Sequence, residues 1–163
     1  MEQKEMIDLL RQVASGTMDV EQAALKLKEE PFEDLGFAKI DHHRAMRQGV
    51  AEVIYGEGKT PEQIFRIAEA MKEKGQKAVL ITRMNKESAI YVGEHLELQY
   101  DEVSRIGFIG EAPIKDGDGK IVVATGGTSD IPVAEEAART AETLGNEVIR
   151  LYDVGVAGVH RLL

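Results

Sequence analysis

Two short polar stretches near the end of this chain carry residue types suited to holding a phosphorylated ligand. Thr125-Gly126-Gly127-Thr128-Ser129-Asp130 joins two glycines, which allow a tight turn and close backbone approach, to hydroxyl and carboxylate oxygens that cap a helix or bond a ribose or phosphate. His160-Arg161 adds an imidazole that titrates near neutral pH and a guanidinium whose planar fork fits an anion. His160 is either a proton carrier or ligand contact, or a helix-start histidine that is packed or solvated. Upstream, Lys39, Asp41, His42, His43, Arg44 and Arg47 crowd into one stretch. That stretch is either a basic turn paired with nearby acids or a clamp for phosphate or carboxylate. Adjacent histidines on an extended strand point to opposite faces, so His42 and His43 form a poor chelate and no metal site is expected. Lys59 belongs to the glycine-bearing run 56–60, where it either helps cap a helix or contacts an anion. Gly58-Lys59-Thr60 matches the end of a Walker A loop, but that motif needs glycine where Val53 stands, which argues against an ATPase.

The elements that must position these residues are legible in the hydrophobic pattern. Ile121 to Ala124 is a continuous apolar run, the pattern of a strand buried on both faces. Ala134, Ala137, Ala138 and Ala141 then recur at helical spacing, with Pro132 fitting the first turn and Gly145 ending the helix. Val148 to Tyr152 makes a second strand, followed by the Asp153 and Gly155 turn. This is a βαβ unit whose two polar loops lie at the carboxyl ends of neighbouring parallel strands, where open α/β sheets bind ligands. Glu135 and Arg139 are read as a solvated i, i+4 pair.

A similar unit precedes it. Val50 to Tyr55 reads as a strand, Thr60 to Gln63 as a capping box, and Ile64, Ile67, Ala68 and Met71 as a buried helical face. Ala78 to Thr82 is the next strand, 85–93 a short helix, and Leu96–Tyr100 and Ile106–Ile109 further apolar pieces. Before this lie two short amphipathic helices within 1–30, a packing or oligomer element, and an irregular connection over 32–40. The polar run 115–120 marks a boundary: residues 1–118 form a first domain, with its α/β part at 37–110, and 119–163 a second. The expected class is therefore α/β.

The stretches Gly126 to Ala138 and Tyr152 to Leu163, together with 39–44 and 55–61, resemble LarB, the family that makes the nickel-pincer cofactor. They are more distantly similar to PurE, the aminoimidazole ribonucleotide carboxylase or mutase. The resemblance implies a PurE-like parallel-sheet domain of flavodoxin or Rossmann type. It aligns Gly126, Ser129 and Asp130 with a nucleotide-binding loop and His160-Arg161 with a His-Arg pair. Gly127 stands where PurE carries a serine, which favours the LarB activity. That activity is carboxylation of the pyridinium ring of nicotinate adenine dinucleotide by carbon dioxide, with phosphoanhydride hydrolysis releasing AMP. It uses a covalent nucleophile and no biotin or other cofactor. On this reading Thr128, Ser129 and Asp130 position ribose or phosphate, Arg44, Arg47 and Arg161 hold anionic groups, and Gly126, Gly127, Asp41 and Lys59 complete the substrate-binding set. A PurE-type carboxylase and a non-catalytic nucleotide-binding fragment stay open.

Composition narrows the class. Twenty-nine acids against twenty bases give a net charge of −9, which argues against a nucleic-acid partner. No apolar run is long enough to span a membrane, and the polar start lacks a secretory signal, so a cytoplasmic location is expected. The absence of cysteine leaves this chain without a thiol nucleophile, disulfides or thiolate metal ligands. Residues 120–163 supply only two strands and one complete helix. The reading is thus an incomplete second domain, the amino-terminal portion of a LarB-like enzyme or a fragment completed by another chain, with a homo-oligomer expected.

Overall fold

The computed structural model describes residues 3–27, 32–42, 44, 50–111, 114, 115, 117–155 and 160. Helices α1 (Gln3–Ala14) and α2 (Val20–Leu27) form a short hairpin whose turn passes through Gly16 in a left-handed conformation. Leu9 and Ala23 are buried there, while Ile7, Leu10, Val20 and Leu25 remain exposed. Residues 32–40, expected to be irregular, instead hold an antiparallel ribbon of β1 (Phe32–Asp34) and β2 (Lys39–Asp41). The Asp34 carboxylate accepts the Gly36 N–H at 2.8 Å, an Asx-type turn that a pattern search for alternating apolar residues overlooks.

The first sheet has strand order β3-β4-β6-β5: β3 (Val53–Tyr55), β4 (Ala78–Thr82), β5 (Leu98–Asp101) and β6 (Ile106–Gly110). β3 and β4 are parallel, joined through helix α3 (Pro61–Glu73), as the βαβ pattern requires. β6 adds antiparallel to β4, and β5 to β6, so the sheet is mixed. Thr60 caps α3 as predicted: its hydroxyl accepts from Gln63 N–H at 3.2 Å while the Gln63 side chain accepts from Thr60 N–H at 3.0 Å. The predicted stripe of Ile64, Ile67, Ala68 and Met71 is buried against Ile54, Val79, Ile81 and Ile109. Helix α4 (Lys86–Gly93), capped by Asn85, adds Ala89 and Val92 to the same core.

The second sheet pairs β7 (Lys120–Ala124) and β8 (Glu147–Leu151) in parallel, connected through helix α5 (Ile131–Thr143). The βαβ topology is as expected, but the burial of β7 is not. Ile121 is 41% and Val122 54% exposed, and Ile149 and Leu151 are also open. Val122, Ile149 and Leu151 alternate onto the face away from α5, where no described element packs extensively, while α5 covers the other face through Ala134 and Ala138. Apolar continuity in the sequence signals a strand suited to two-sided burial, while actual burial depends on what lies against it. Among the described residues no helix is long and apolar enough to cross a membrane.

Candidate functional site

The two loops singled out in the sequence meet at Thr125. This buried residue follows β7 and ties the carboxyl ends of both parallel strands together. Its N–H donates to the Leu151 carbonyl at 3.0 Å and its carbonyl accepts from Val154 N–H at 2.9 Å. Its hydroxyl accepts from Asp153 N–H at 2.9 Å. A Cβ on Gly155 would collide with the Gly126 carbonyl, so glycine is required there by close approach of the two loops.

Gly126 and Gly127 behave differently from expectation. Neither takes a left-handed backbone, and Gly127 is extended at φ −151°. The nearest atom to a Cβ at Gly126 is Asp130 Oδ2 at 3.7 Å, and at Gly127 it is 4.0 Å away. The tight approach sits at Gly155, and the two loop glycines leave open space. Asp130 Oδ2 accepts from Gly127 N–H at 3.1 Å and closes the loop, and Thr128 to Asp130 form one 3-10 turn that leads into α5. Thr128, Ser129 and Asp130 are all exposed. His160 is also exposed, while Arg161, Arg47 and His43 lie outside the described residues.

The upstream candidates gather elsewhere. Lys39 pairs with Asp34 at 3.6 Å, His42 with Glu33 at 3.0 Å and Arg44 with Glu52 at 3.0 Å. Asp41 ends β2 and is half-buried. Lys59 lines a groove of about 480 Å³ between the β1–β2 ribbon and the start of α3, with Phe37, Lys39, Glu52, Tyr55 and Gln63. None of Gly126 to Asp130 lines that groove, so the candidates fall into two places. Among the described residues no three acidic or histidine side chains converge as a metal ion needs.

A charge network behind the loop escaped the sequence reading. The expected Glu135–Arg139 pair is present, with Arg139 Nε 3.6 Å away, but Glu135 is not solvated: its side chain is 15% exposed, and it also accepts from Arg150 Nε at 2.9 Å and from the Tyr152 hydroxyl at 2.7 Å. Arg150 also grips Glu142, with Nη1 at 2.6 Å and Nη2 at 2.9 Å. Burial pushes the Glu135 carboxyl up, but the Arg150 and Tyr152 hydrogen bonds outweigh it and hold it below the usual range. Arg150 holds Glu142 low in the same way, and the two carboxylates raise Arg150 in turn. Arg139 reaches Asp101 of β5 at 3.1 Å. A signal was present: Arg150 interrupts the apolar strand 148–151 on the face toward α5, and Glu135 and Glu142 are seven residues apart, on one side of the helix.

Residues 32–111 match the family described as the LarB/PurE-like N-terminal domain. Over that stretch the chain is LarB-like. The matched stretch takes in the β1–β2 ribbon, the whole four-stranded sheet and the Lys59 groove. An uncharacterised protein of Methanocaldococcus jannaschii is 32% identical over 166 residues, an alignment that includes 98% of this chain and so both loops at Thr125. The chain spans 65% of the length of that relative.

Proposed function

We propose that the loops at Thr125 bind the phosphate and ribose of a pyridine dinucleotide, and that the chain takes part in LarB-type carboxylation of nicotinate adenine dinucleotide. The observation that carries this reading is the pair of glycines at Gly126 and Gly127. The fold demands glycine at neither, since neither takes a left-handed backbone and a side chain has room. Open backbone at the carboxyl end of a parallel strand, beside the first turn of α5, is what a phosphate needs to reach backbone N–H groups. Thr128 and Ser129 supply exposed hydroxyls to the same space, and Asp130 a carboxylate for a ribose hydroxyl.

The roles fall to this chain's own residues as follows. Gly126 to Asp130 bind and orient the nucleotide. His160, with its exposed imidazole, contacts the ligand or carries a proton, and Arg161 is the candidate to hold the anionic groups. Lys59, whose groove is not lined by the loop, and Arg44, Arg47 and Asp41 take part in substrate binding. Carboxylation requires a nucleophile that adds to the pyridinium ring and turns a ring carbon toward carbon dioxide. With no cysteine in its sequence, this chain supplies the binding half of that chemistry and not a thiolate.

The test is titration of the chain with nicotinate adenine dinucleotide, followed by incubation with labelled bicarbonate and mass spectrometry for AMP and a ring-carboxylated mononucleotide. Binding that weakens at least tenfold in Gly127→Ala supports the reading. A chain that binds neither the dinucleotide nor AMP overturns it. Turnover by this chain would mean that the ring is activated without a thiol.

A further inference from the structure

Arg83 sits immediately after β4 in a left-handed backbone conformation, φ 54°. For an arginine that conformation is unfavourable; glycine or asparagine takes it more easily. The side chain at this position therefore has a use that outweighs the backbone cost. Its Nε lies 2.8 Å and 2.7 Å from the two carboxylate oxygens of Glu136, on the second turn of α5 and 53 residues away in sequence. Its Nη1 is 3.9 Å from Glu57, which accepts from the Tyr55 hydroxyl at 2.5 Å. The Arg83 carbonyl in turn accepts from Arg105 Nη2 at 3.0 Å. One guanidinium thus joins the loop after β3, the end of β4 and the helix that starts at the Gly126–Asp130 loop.

We infer that Arg83 is a positioning residue for the Gly126–Asp130 loop, acting through Glu136 to set the height and rotation of α5 against the four-stranded sheet. This rests on the reading of that loop as a ligand site. The mechanics follow from the elements. α5 is a continuous helix from Ile131 to Thr143, so a clamp on Glu136 fixes its first turn as well. The Glu136 side chain is only 17% exposed, which shields the pair from solvent on one side. Arg139, bonded to Asp101, is a second tie from the same helix to β5, and the two together restrain rotation about the helix axis. The first sheet itself is held rigid behind Arg83: Met84 N–H donates to the Arg105 carbonyl at 2.8 Å, and Gly56 N–H to the Thr82 carbonyl at 2.7 Å. Both loops at the carboxyl ends of the two parallel strand pairs are therefore referenced to one side chain.

The experiment is a double-mutant cycle of Arg83→Asn and Glu136→Gln in the full chain. Asparagine keeps the left-handed backbone accessible while removing the guanidinium, so the side-chain effect is separated from backbone strain. Two readouts are taken: amide hydrogen exchange at 126–131 against that of the core strands β4 and β6, and the dissociation constant for nicotinate adenine dinucleotide. Each single variant is expected to raise exchange at 126–131 about tenfold, leave β4 and β6 unchanged and weaken the ligand about tenfold, and the double variant is expected to do no more. Unchanged loop exchange, additive effects of the two substitutions, or loop and core exchange rising together would each overturn the inference. Should the wild-type chain not bind the dinucleotide, the function proposed above fails, and the exchange cycle alone still decides the role of Arg83.

Discussion

Gly155→Ala is the sharpest perturbation of the junction between the loops. The added Cβ points into the Gly126 carbonyl, with the Gly126 Cα 3.2 Å away, so one loop must move. If the Asp153–Gly155 turn moves, the bonds from Val154 N–H and Asp153 N–H to Thr125 are lost. Each is a net contribution of about 1 kcal/mol, and leaving the buried Thr125 oxygens unsatisfied adds roughly 1–3 kcal/mol. If the backbone holds instead, overpacking costs a similar 1–3 kcal/mol. The two routes bracket a destabilisation of about 1–5 kcal/mol, which at about 2–4 °C per kcal/mol for a chain of this size lowers the melting temperature by several degrees or more. Thermal unfolding followed by circular dichroism measures it directly, with Gly127→Ala as the control, since that position has room and an extended backbone. If Gly155→Ala melts with the wild type, the two loops do not pack as described and the composite site at Thr125 is wrong.

Further outcomes follow from other parts of the molecule. Gly127→Ala is expected to raise the melting temperature by about 1–4 °C, a stabilisation of about 0.4–1 kcal/mol, while ligand titration shows at least a tenfold loss. Arg150→Met strands the carboxylates of Glu135 and Glu142 and is expected to cost roughly 2–3 kcal/mol at pH 7 by urea unfolding. Because Arg150 depresses both carboxyls in the folded state, their contribution is present above the unfolded value of about 4.3 and fades as pH falls through the folded values. The stability curves of wild type and variant should therefore converge only once the pH has fallen below the depressed values of both carboxyls; a gap that persists after both are protonated would show that the pairing is not the cause. Thr60→Ala removes the cap of α3 and is expected to cost about 1 kcal/mol in the same assay.

How far the sequence could be read depended on the range of the interaction. Thr60 and Gln63 are three residues apart, and the stripe from Ile64 to Met71 repeats at helical spacing, so α3 was visible in local pattern alone. The β3–α3–β4 and β7–α5–β8 units were visible for the same reason. The antiparallel order β4-β6-β5 was not, since pairing partners such as Leu80 and Phe108 are distant in the chain and neither carries a sign of the other. Arg83 and Glu136 are likewise 53 residues apart, and each looks like an ordinary surface charge until the fold brings them within 2.7 Å.

The loop glycines present the opposite case, and they bear most on function. From sequence, Gly126 and Gly127 read as steric necessities of a tight turn, and such a reading explains them without any ligand. The structure moves that necessity to Gly155, which has no space for a Cβ, and leaves Gly126 and Gly127 with space and without a left-handed backbone. A glycine with room for a side chain and no conformational duty is unfavourable for folding, because alanine would reduce the freedom of the unfolded chain by about 0.4–1 kcal/mol. Two in succession, at the carboxyl end of a parallel strand and the start of a helix, therefore need a cause outside the fold. A ligand that must come close to backbone N–H groups is such a cause, and Gly127→Ala separates it from folding because only the ligand would meet the new methyl group.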